Sequence, residues 1–191
     1  MVLTLNLPPT LKMTQENFAE LAQINQDVRL ELTAKGELII MPPTGGETGD
    51  RNFELDGQLW LWNKKRRLGK AFDSSTGFVL PNGANRSPDV SWIRMERWSN
   101  LSPEQRKKCL PLCPDFAIEL VSETDRIANT REKMQEYLEN GLRLGWLIEP
   151  KTRIVEIYRP NREVEVLQSP LTLSGENVLP DFTLSLAEIW D

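Results

Sequence analysis

Glu119 is the residue whose surroundings most require a chemical explanation. It lies within residues 113–122, in a run of apolar, β-branched and aromatic residues that Pro114 opens. Such a run predicts a strand buried on both faces, as in the centre of a sheet. An ionised carboxylate is costly to bury unless a cation, a metal or several hydrogen-bond donors compensate it. Glu119 is therefore either a functional group or the residue at which the buried part of the strand ends.

A second carboxylate is needed if Glu119 is to bind a metal ion that acts on phosphates, because such ions take several hard oxygen ligands. Asp115 is four residues away on the same strand, which is about 13 Å at roughly 3.3 Å per residue and too far to share an ion. We expect Asp115 to be a structural residue at the strand entrance. Asp89 opens another predicted strand, and strands that pair are about 5 Å apart. Asp89 and Glu119 are therefore the best pair.

Two further residues are candidates for the same site. Lys133 lies on the helix predicted after the Glu119 strand, and a helix that returns over the sheet brings its border positions within reach of Glu119. Its alternative role is that of a surface lysine whose stem covers apolar residues while its ammonium stays in water. Glu54, on a long predicted helix, is a candidate for a further carboxylate; its alternative is a solvated helix face.

The amino-acid composition excludes several kinds of chemistry. The chain has no histidine, which removes Ser-His-Asp and Cys-His catalysis and histidine-ligated metal nucleases. Its two cysteines, Cys109 and Cys113, cannot make a four-ligand zinc site. The net charge of −5 argues against nonspecific coating of nucleic acid, but it is compatible with a locally basic groove.

The length of 191 residues predicts a single domain, residues 1–191. No apolar run approaches the roughly 20 residues that cross a bilayer, so we expect no membrane-spanning segment. The apolar start of the chain lacks the basic segment and the cleavage site of a signal peptide. We therefore expect a cytoplasmic protein.

The periodicity of the first third predicts a capped helix, a β-hairpin and a long helix. The helix covers residues 14–24, and the hairpin strands cover residues 28–32 and 37–41. A loop at residues 44–49 leads into the long helix, residues 50–67. Five apolar side chains of this helix are expected to face the interior, namely Phe53, Leu55, Leu59, Trp60 and Trp62.

The remainder of the chain predicts strands on both sides of one further helix, at residues 130–140. A final helical turn is expected at residues 186–190. Helices that flank a mixed sheet make the fold α/β or α+β. Besides the Glu119 strand, the predicted strands are residues 70–72, 77–80, 88–93, 144–148, 154–158 and 163–167.

These residues, in this order, resemble the PD-(D/E)XK nuclease superfamily, and more closely its prokaryotic Uma-type family of restriction endonucleases. The resemblance runs over nearly the whole chain and implies a restriction-endonuclease-like core, with a central mixed sheet flanked by helices. Its motifs are Ser87-Pro88-Asp89-Val90, Ile118-Glu119-Leu120-Val121-Ser122 and Arg131-Glu132-Lys133-Met134, with supporting segments at residues 36–43, 137–141, 146–150 and 179–182.

The resemblance implies a Mg²⁺-dependent DNA endonuclease, with Mn²⁺ as a possible substitute and a homodimer as the expected assembly. Asp89, Glu119 and the backbone carbonyl of Leu120 would hold the metal, and Glu54 would complete the shell or help to bind a second ion. The motif's usual lysine position is occupied by Val121. The lysine role therefore passes to Lys133.

A second function stays open at this point, because a fold does not by itself secure an activity. The chain could be a catalytically inactive relative that uses the same fold to bind nucleic acid or a protein partner. Metal binding at Asp89 and Glu119 discriminates the two functions.

Overall fold

A computed structural model describes residues 3–5, 13–25, 27–123 and 125–191. Within these ranges, no helix is both long enough and apolar enough to cross a membrane. The helices are α1 (Gln15–Ile24), α2 (Gly46–Arg66), α3 (Met95–Ser99) and α4 (Ile127–Glu139), with a 3₁₀ turn at Gln105–Lys107.

The strands of the described ranges form three sheets. In chain order they are β1 (Leu3–Leu5), β2 (Arg29–Leu32), β3 (Leu38–Met41), β4 (Gly69–Asp73), β5 (Phe78–Val79), β6 (Asn85–Arg86), β7 (Val90–Arg94), β8 (Phe116–Leu120), β9 (Leu144–Glu149), β10 (Ile154–Tyr158), β11 (Glu165–Gln168), β12 (Thr172–Ser174) and β13 (Thr183–Ser185).

The largest sheet has six strands in the order β11-β10-β9-β8-β7-β4. Strands β8 and β9 are parallel and are connected through α4, whereas the other neighbours are antiparallel. A second, antiparallel sheet has the order β1-β3-β2-β6-β5, and β12 pairs with β13. The main sheet is therefore mixed, with helices packed against it, and the predicted fold class is confirmed.

The N-terminal helix and the hairpin form where the sequence predicts them. Thr14 is the N-cap of α1, and its hydroxyl accepts a hydrogen bond from Asn17 N at 3.1 Å, which satisfies one of the free N–H groups of the first turn. The hairpin is β2 and β3, paired from Arg29–Met41 to Leu32–Leu38.

Helix α2 differs from the prediction in two ways. It begins at Gly46 rather than at Asp50, because the predicted loop already joins the helix. Leu55, Leu59 and Trp62 are buried as expected, but Phe53 is 77% exposed and Trp60 is 55% exposed. At about 100° per residue, positions 53 and 60 lie on the side of the helix opposite to positions 55 and 59. The inward orientation predicted for Phe53 and Trp60 is therefore wrong.

Helix α4 also begins earlier than predicted, at Ile127 rather than at residue 130. At the C-terminus, the predicted final helical turn is present, since Trp190 N donates to the carbonyl of Leu186.

The β12–β13 hairpin that precedes this turn was not predicted. Its strands have three residues each and bury Leu173 and Leu184, which is too short for a periodic signal to stand out.

Strand β8 is the centre of the main core. All five of its residues are buried, which confirms the predicted burial on both faces. Phe116 packs edge-on against Trp146 of β9 with ring centroids 4.8 Å apart, and Ile118 joins the cluster that includes Leu55 of α2. Ala117, on the opposite face, joins the cluster that includes Met134 of α4. Helices α2 and α4 therefore cover opposite faces of β8.

We expect Gly69→Ala to lower the free energy of unfolding by about 1–3 kcal/mol, the usual cost of overpacking a core. A Cβ at position 69 would lie 2.1 Å from the backbone carbonyl oxygen of Ile93, so the β4–β7 pair must shift. Urea denaturation measures the change. The matched control is Gly46→Ala, where a Cβ meets nothing within 4 Å. Equal stability of the two variants would contradict the close packing.

Candidate active site

The structure brings Asp89 and Glu119 together at one end of the β7–β8 pair. Val90 is the register partner of Ile118, so Asp89, one residue earlier, stands beside the end of β8. Leu120 N donates a hydrogen bond of 2.8 Å to Asp89 Oδ2. Glu119 is buried, with 5% of its surface exposed, and Asp89 is partly buried. Two acidic side chains thus lie close together at one end of strands β7 and β8 of the main sheet.

Lys133 extends from α4 into the same region. Its Nζ lies 2.9 Å from Glu119 Oε1 and 2.9 Å from Glu31 Oε1. Only 14% of its side chain is exposed. The ammonium is therefore a bridge between two buried carboxylates and not a solvated surface group.

Sequence reasoning missed Glu31, which sits on β2 of the second sheet. Its Oε1 accepts a hydrogen bond from Ser87 N at 2.8 Å, and its Oε2 forms an ion pair with Arg86 Nη1 at 3.1 Å. Arg86 Nε in turn lies 2.6 Å from Glu136 Oε2 on α4. In the sequence, the alternation Leu30-Glu31-Leu32 is typical of a strand with one solvent-exposed face. No local pattern therefore indicated that Glu31 is buried.

Tyr137 of α4 is the second residue at this site that the sequence patterns did not identify. It is completely buried. Its hydroxyl donates a hydrogen bond of 3.0 Å to Glu119 Oε1. Tyr137 follows Lys133 by one helical turn, so both side chains reach the same carboxylate from one face of α4.

The electrostatics of the two glutamates that share Lys133 differ. Burial raises the pKa of Glu119 to about 8, against the lowering effect of Lys133 and with further raising effects from the charges of Asp89 and Glu31. For Glu31, burial also acts to raise the pKa, but the charges of Lys133 and Arg86 outweigh it, and the pKa is lowered. The second cation, Arg86, explains why the pKa is lowered for Glu31 and raised for Glu119. Glu31 is the firmly ionised partner of the lysine.

The other two charged groups of the site respond in the same way to burial and charge. Burial acts to lower the pKa of Lys133, but the charges of Glu119 and Glu31 outweigh it and raise the pKa above the ordinary value. The pKa of Asp89 is raised by burial, although the charge of Lys133 and the Leu120 N–H act to lower it. The Lys133 ammonium is thus strongly held in its charged form.

Helix α2 contributes Asp56 to this region. The pKa of Asp56 is raised to about 7, first by burial and then by the charges of Asp73 and Asp89. Glu54 lies about 200° away around the helix, and its Oε1 accepts a hydrogen bond from Gln58 Nε2 at 3.0 Å. Gln58 also donates to the carbonyl of Ser185 on β13. The role of Glu54 in the metal shell stays a prediction, whereas Asp56 is a carboxylate of α2 whose charge interacts with Asp89.

Asp115 lies at the other end of β8. It is 1% exposed, accepts a hydrogen bond from Arg94 N at 3.0 Å and forms an ion pair with Arg97 at 3.3 Å. Arg143 Nη1 is 3.8 Å from its Oδ1. These contacts explain its burial by structural charge pairing, as expected for a strand-entry residue.

The donor set suits a hard divalent cation. Mg²⁺ is commonly held by one or two carboxylates and completes its shell with water and substrate oxygens. Across the described ranges, no group of three or more His, Cys, Asp or Glu side chains is arranged to hold a metal, so an ion here must rely on such a partial set. Lys133 and Tyr137 both contact Oε1 of Glu119, so an ion would approach Oε2. Burial first, and the charges of neighbouring carboxylates second, raise the pKa values of Asp56, Asp89 and Glu119, and a bound cation would favour the ionised form of each.

The main sheet is mixed and flanked by helices, and the acidic pair lies at one end of two adjacent strands with the lysine beside it. The model of the Uma2 family, described as "Putative restriction endonuclease", matches residues 15–187. The chain belongs to this family.

The comparison with solved structures agrees with this fold. Five chains match, among them the crystal structure of a "putative nuclease belonging to DUF820" from Anabaena variabilis. The TM-score is 0.78 at 22% sequence identity, and the match covers 93% of this chain and 97% of that chain. Among curated proteins, nothing matches the chain significantly. The likeness at this identity shows a shared fold.

We expect Glu31→Gln to lower the free energy of unfolding by roughly 3 kcal/mol, because it removes one partner of a buried ion-pair network. Arg86 and Lys133 would each lose a charged acceptor. Chemical denaturation at neutral pH measures the loss. The control is Glu47→Gln, since Glu47 forms an exposed pair with Arg51 and such pairs contribute at most about 1 kcal/mol. A change in Glu31→Gln no larger than in the control would show that the network does not hold the fold.

Proposed function

We propose that this protein hydrolyses phosphodiester bonds of DNA with Mg²⁺ held by Asp89, Glu119 and the backbone carbonyl of Leu120. The observation that carries the proposal is the distance of 2.9 Å between Lys133 Nζ and Glu119 Oε1, beside Asp89. Lys133 thus supplies the lysine that is missing at position 121, after strand β8. Membership of a family described as restriction endonucleases supports the reaction class.

Each protein group has a separate task in this mechanism. Asp89 and Glu119 bind and orient the ion through carboxylate oxygens, and the Leu120 N–H fixes Asp89 through its hydrogen bond of 2.8 Å. When bound, Mg²⁺ lowers the pKa of a coordinated water and polarises the scissile phosphate. Mn²⁺, which prefers the same oxygen ligands, is expected to substitute.

Lys133 orients the attacking water and offsets the negative charge that develops on the phosphate. Glu31 is a positioning residue, because it forms the second ion pair of the ammonium at 2.9 Å. Tyr137 fixes the Glu119 carboxylate with its hydroxyl. The Lys133 ammonium, held by Glu31 and Glu119, needs little reorganisation during the reaction, which is the condition for effective electrostatic stabilisation.

The apolar residue at position 121 is compatible with this assignment. Val121 is buried in the cluster that includes Met134 of α4, on the side of the sheet that α4 covers. Lys133 precedes Met134 by one residue and reaches the same side from the helix. The proposed site therefore takes its lysine from α4 and uses position 121 for packing.

A second function is favoured by one specific observation. Lys133 is neutralised by two carboxylates, as in a structural salt-bridge network. A catalytically inactive protein that binds nucleic acid or a protein partner would retain these contacts.

Three further expectations from the sequence remain predictions, namely a single domain over residues 1–191, a cytoplasmic location and a homodimer.

The decisive experiment is a plasmid-nicking assay with Mg²⁺ and with Mn²⁺. We expect Asp89→Asn and Glu119→Gln to lower the rate by about 100-fold or more, because each removes a charged ligand, and Lys133→Met to lower it by roughly 100-fold, the usual effect of losing one stabilising donor. Glu132→Gln, an exposed carboxylate of α4 next to Lys133, is the control and should keep the wild-type rate.

Metal binding is measured separately by calorimetric titration of Mn²⁺. Binding by the wild type and weaker binding by Asp89→Asn support the site. If nicking by all three variants equals that of the wild type, the nuclease proposal is wrong. DNA binding without cleavage, unaffected by these variants, would favour the inactive relative.

A further inference from the structure

One side of α2 carries apolar side chains that face solvent. Phe53 is 77% exposed, Trp60 55% and Leu61 50%. The buried residues Leu55 and Leu59 occupy the other side of the same helix. We call this side the outer face of α2 and define it by Asp50, Phe53, Gly57, Trp60, Leu61 and Lys64, all of which are exposed.

The spacing along the outer face of α2 is that of a helix–helix seam. Phe53, Gly57, Trp60 and Lys64 follow one another at intervals of four, three and four residues, which keeps them on one line along the helix. A surface helix normally has one apolar stripe, and α2 already buries one. A second stripe of large side chains indicates a second packing partner.

Gly57 lies at the centre of this line, and no close contact within the described chain explains why this position is a glycine. A Cβ at this position would meet nothing within 4 Å, and glycine inside a helix lowers helix stability relative to alanine. A residue without a side chain allows a second helix to approach closely, because the distance between helix axes depends on the side chains at the contact. Gly57 is therefore suited to a crossing point.

The outer face of α2 is self-complementary about Gly57. Asp50 lies seven residues before Gly57, and Lys64 lies seven residues after it. Phe53 and Leu61 lie four residues before and after. When two copies pack antiparallel with a shallow crossing of about 20°, each Asp50 faces Lys64 of the other copy and each Phe53 faces Leu61. This reciprocity is what a two-fold interface requires.

We propose that two copies of this chain dimerise through the outer face of α2, with antiparallel helices that cross at Gly57. The Lys64 ammonium lies 5.5 Å from the centre of the Trp60 ring, which keeps it over the seam. Each interface ion pair forms twice, and each apolar contact forms twice. The interface does not use Asp89, Glu119 or Lys133, so it is independent of the proposed catalysis.

A polyanion is the competing occupant of part of this surface. Trp60, Lys64, Arg67 and Lys70 line one groove, and a nucleic-acid backbone would suit its charge. That occupant does not explain the exposed Phe53 and Leu61, and Asp50 would repel it. The second copy accounts for all three.

Analytical ultracentrifugation over a range of concentrations tests the apolar part of the interface. We expect the wild type to dimerise and Trp60→Glu to weaken the dimer by about 100-fold or more, because buried tryptophans dominate interface energies. Val166→Glu is the matched control: Val166 is 60% exposed on β11, at the far edge of the main sheet. Loss of the dimer in this control, but not in Trp60→Glu, would overturn the proposal.

A charge-exchange experiment tests the antiparallel register. Asp50→Lys and Lys64→Asp should each weaken self-association by roughly tenfold, since each replaces two attractive pairs by two repulsive ones. An equimolar mixture of the two variants should form a heterodimer, and the double variant should recover the homodimer. Circular dichroism checks that each variant is folded.

Two further results would overturn the proposal. The first is a wild type that stays monomeric at every concentration. The second is a mixture of the two charge variants that associates no better than either variant alone. Loss of affinity for DNA in Trp60→Glu and Lys64→Asp, without a change in assembly, would assign the groove to the polyanion instead.

Discussion

The Lys133 ammonium between Glu31 and Glu119 is the interaction on which the rest of this structure depends. It joins three separate elements, namely β2 of the second sheet, β8 at the centre of the main sheet, and α4 above both. Without a cation, two carboxylates would face each other in a region largely closed to water, where a like charge is costly. The packing of the second sheet on α4 and the geometry of the acidic site are therefore consequences of the same charge.

The two glutamates differ in function although they share this lysine. Glu31 has Arg86 and a backbone N–H as further partners, so its negative charge is fully compensated by the protein. Glu119 has Asp89 as a neighbour in place of a second cation. The first is suited to fixing the lysine. The second has an unmet demand for positive charge, which is the property expected of a ligand to an ion.

Local patterns in the sequence predicted the elements that place the site, since a buried strand and a following helix have clear periodicities. The proximity of Lys133 to Glu119 follows from the connection between β8 and β9. Glu31 could not be found in the same way, because its burial depends on a helix whose Lys133 lies 102 residues later in the chain. Phe53 and Trp60 were misplaced because α2 is apolar on two sides, and composition alone does not distinguish the side that faces the core from the other.

The parallel connection through α4 also determines when the charge cluster can form. Lys133 is positioned by α4, which follows β8 in the chain, and Glu31 belongs to the β2–β3 hairpin near the N-terminus. Contacts between such distant parts of a chain form late, because the entropy of closing long loops must be overcome first. We therefore expect the carboxylates to stay hydrated and apart early in folding, and the desolvation of all three charges to coincide with the docking of the two sheets.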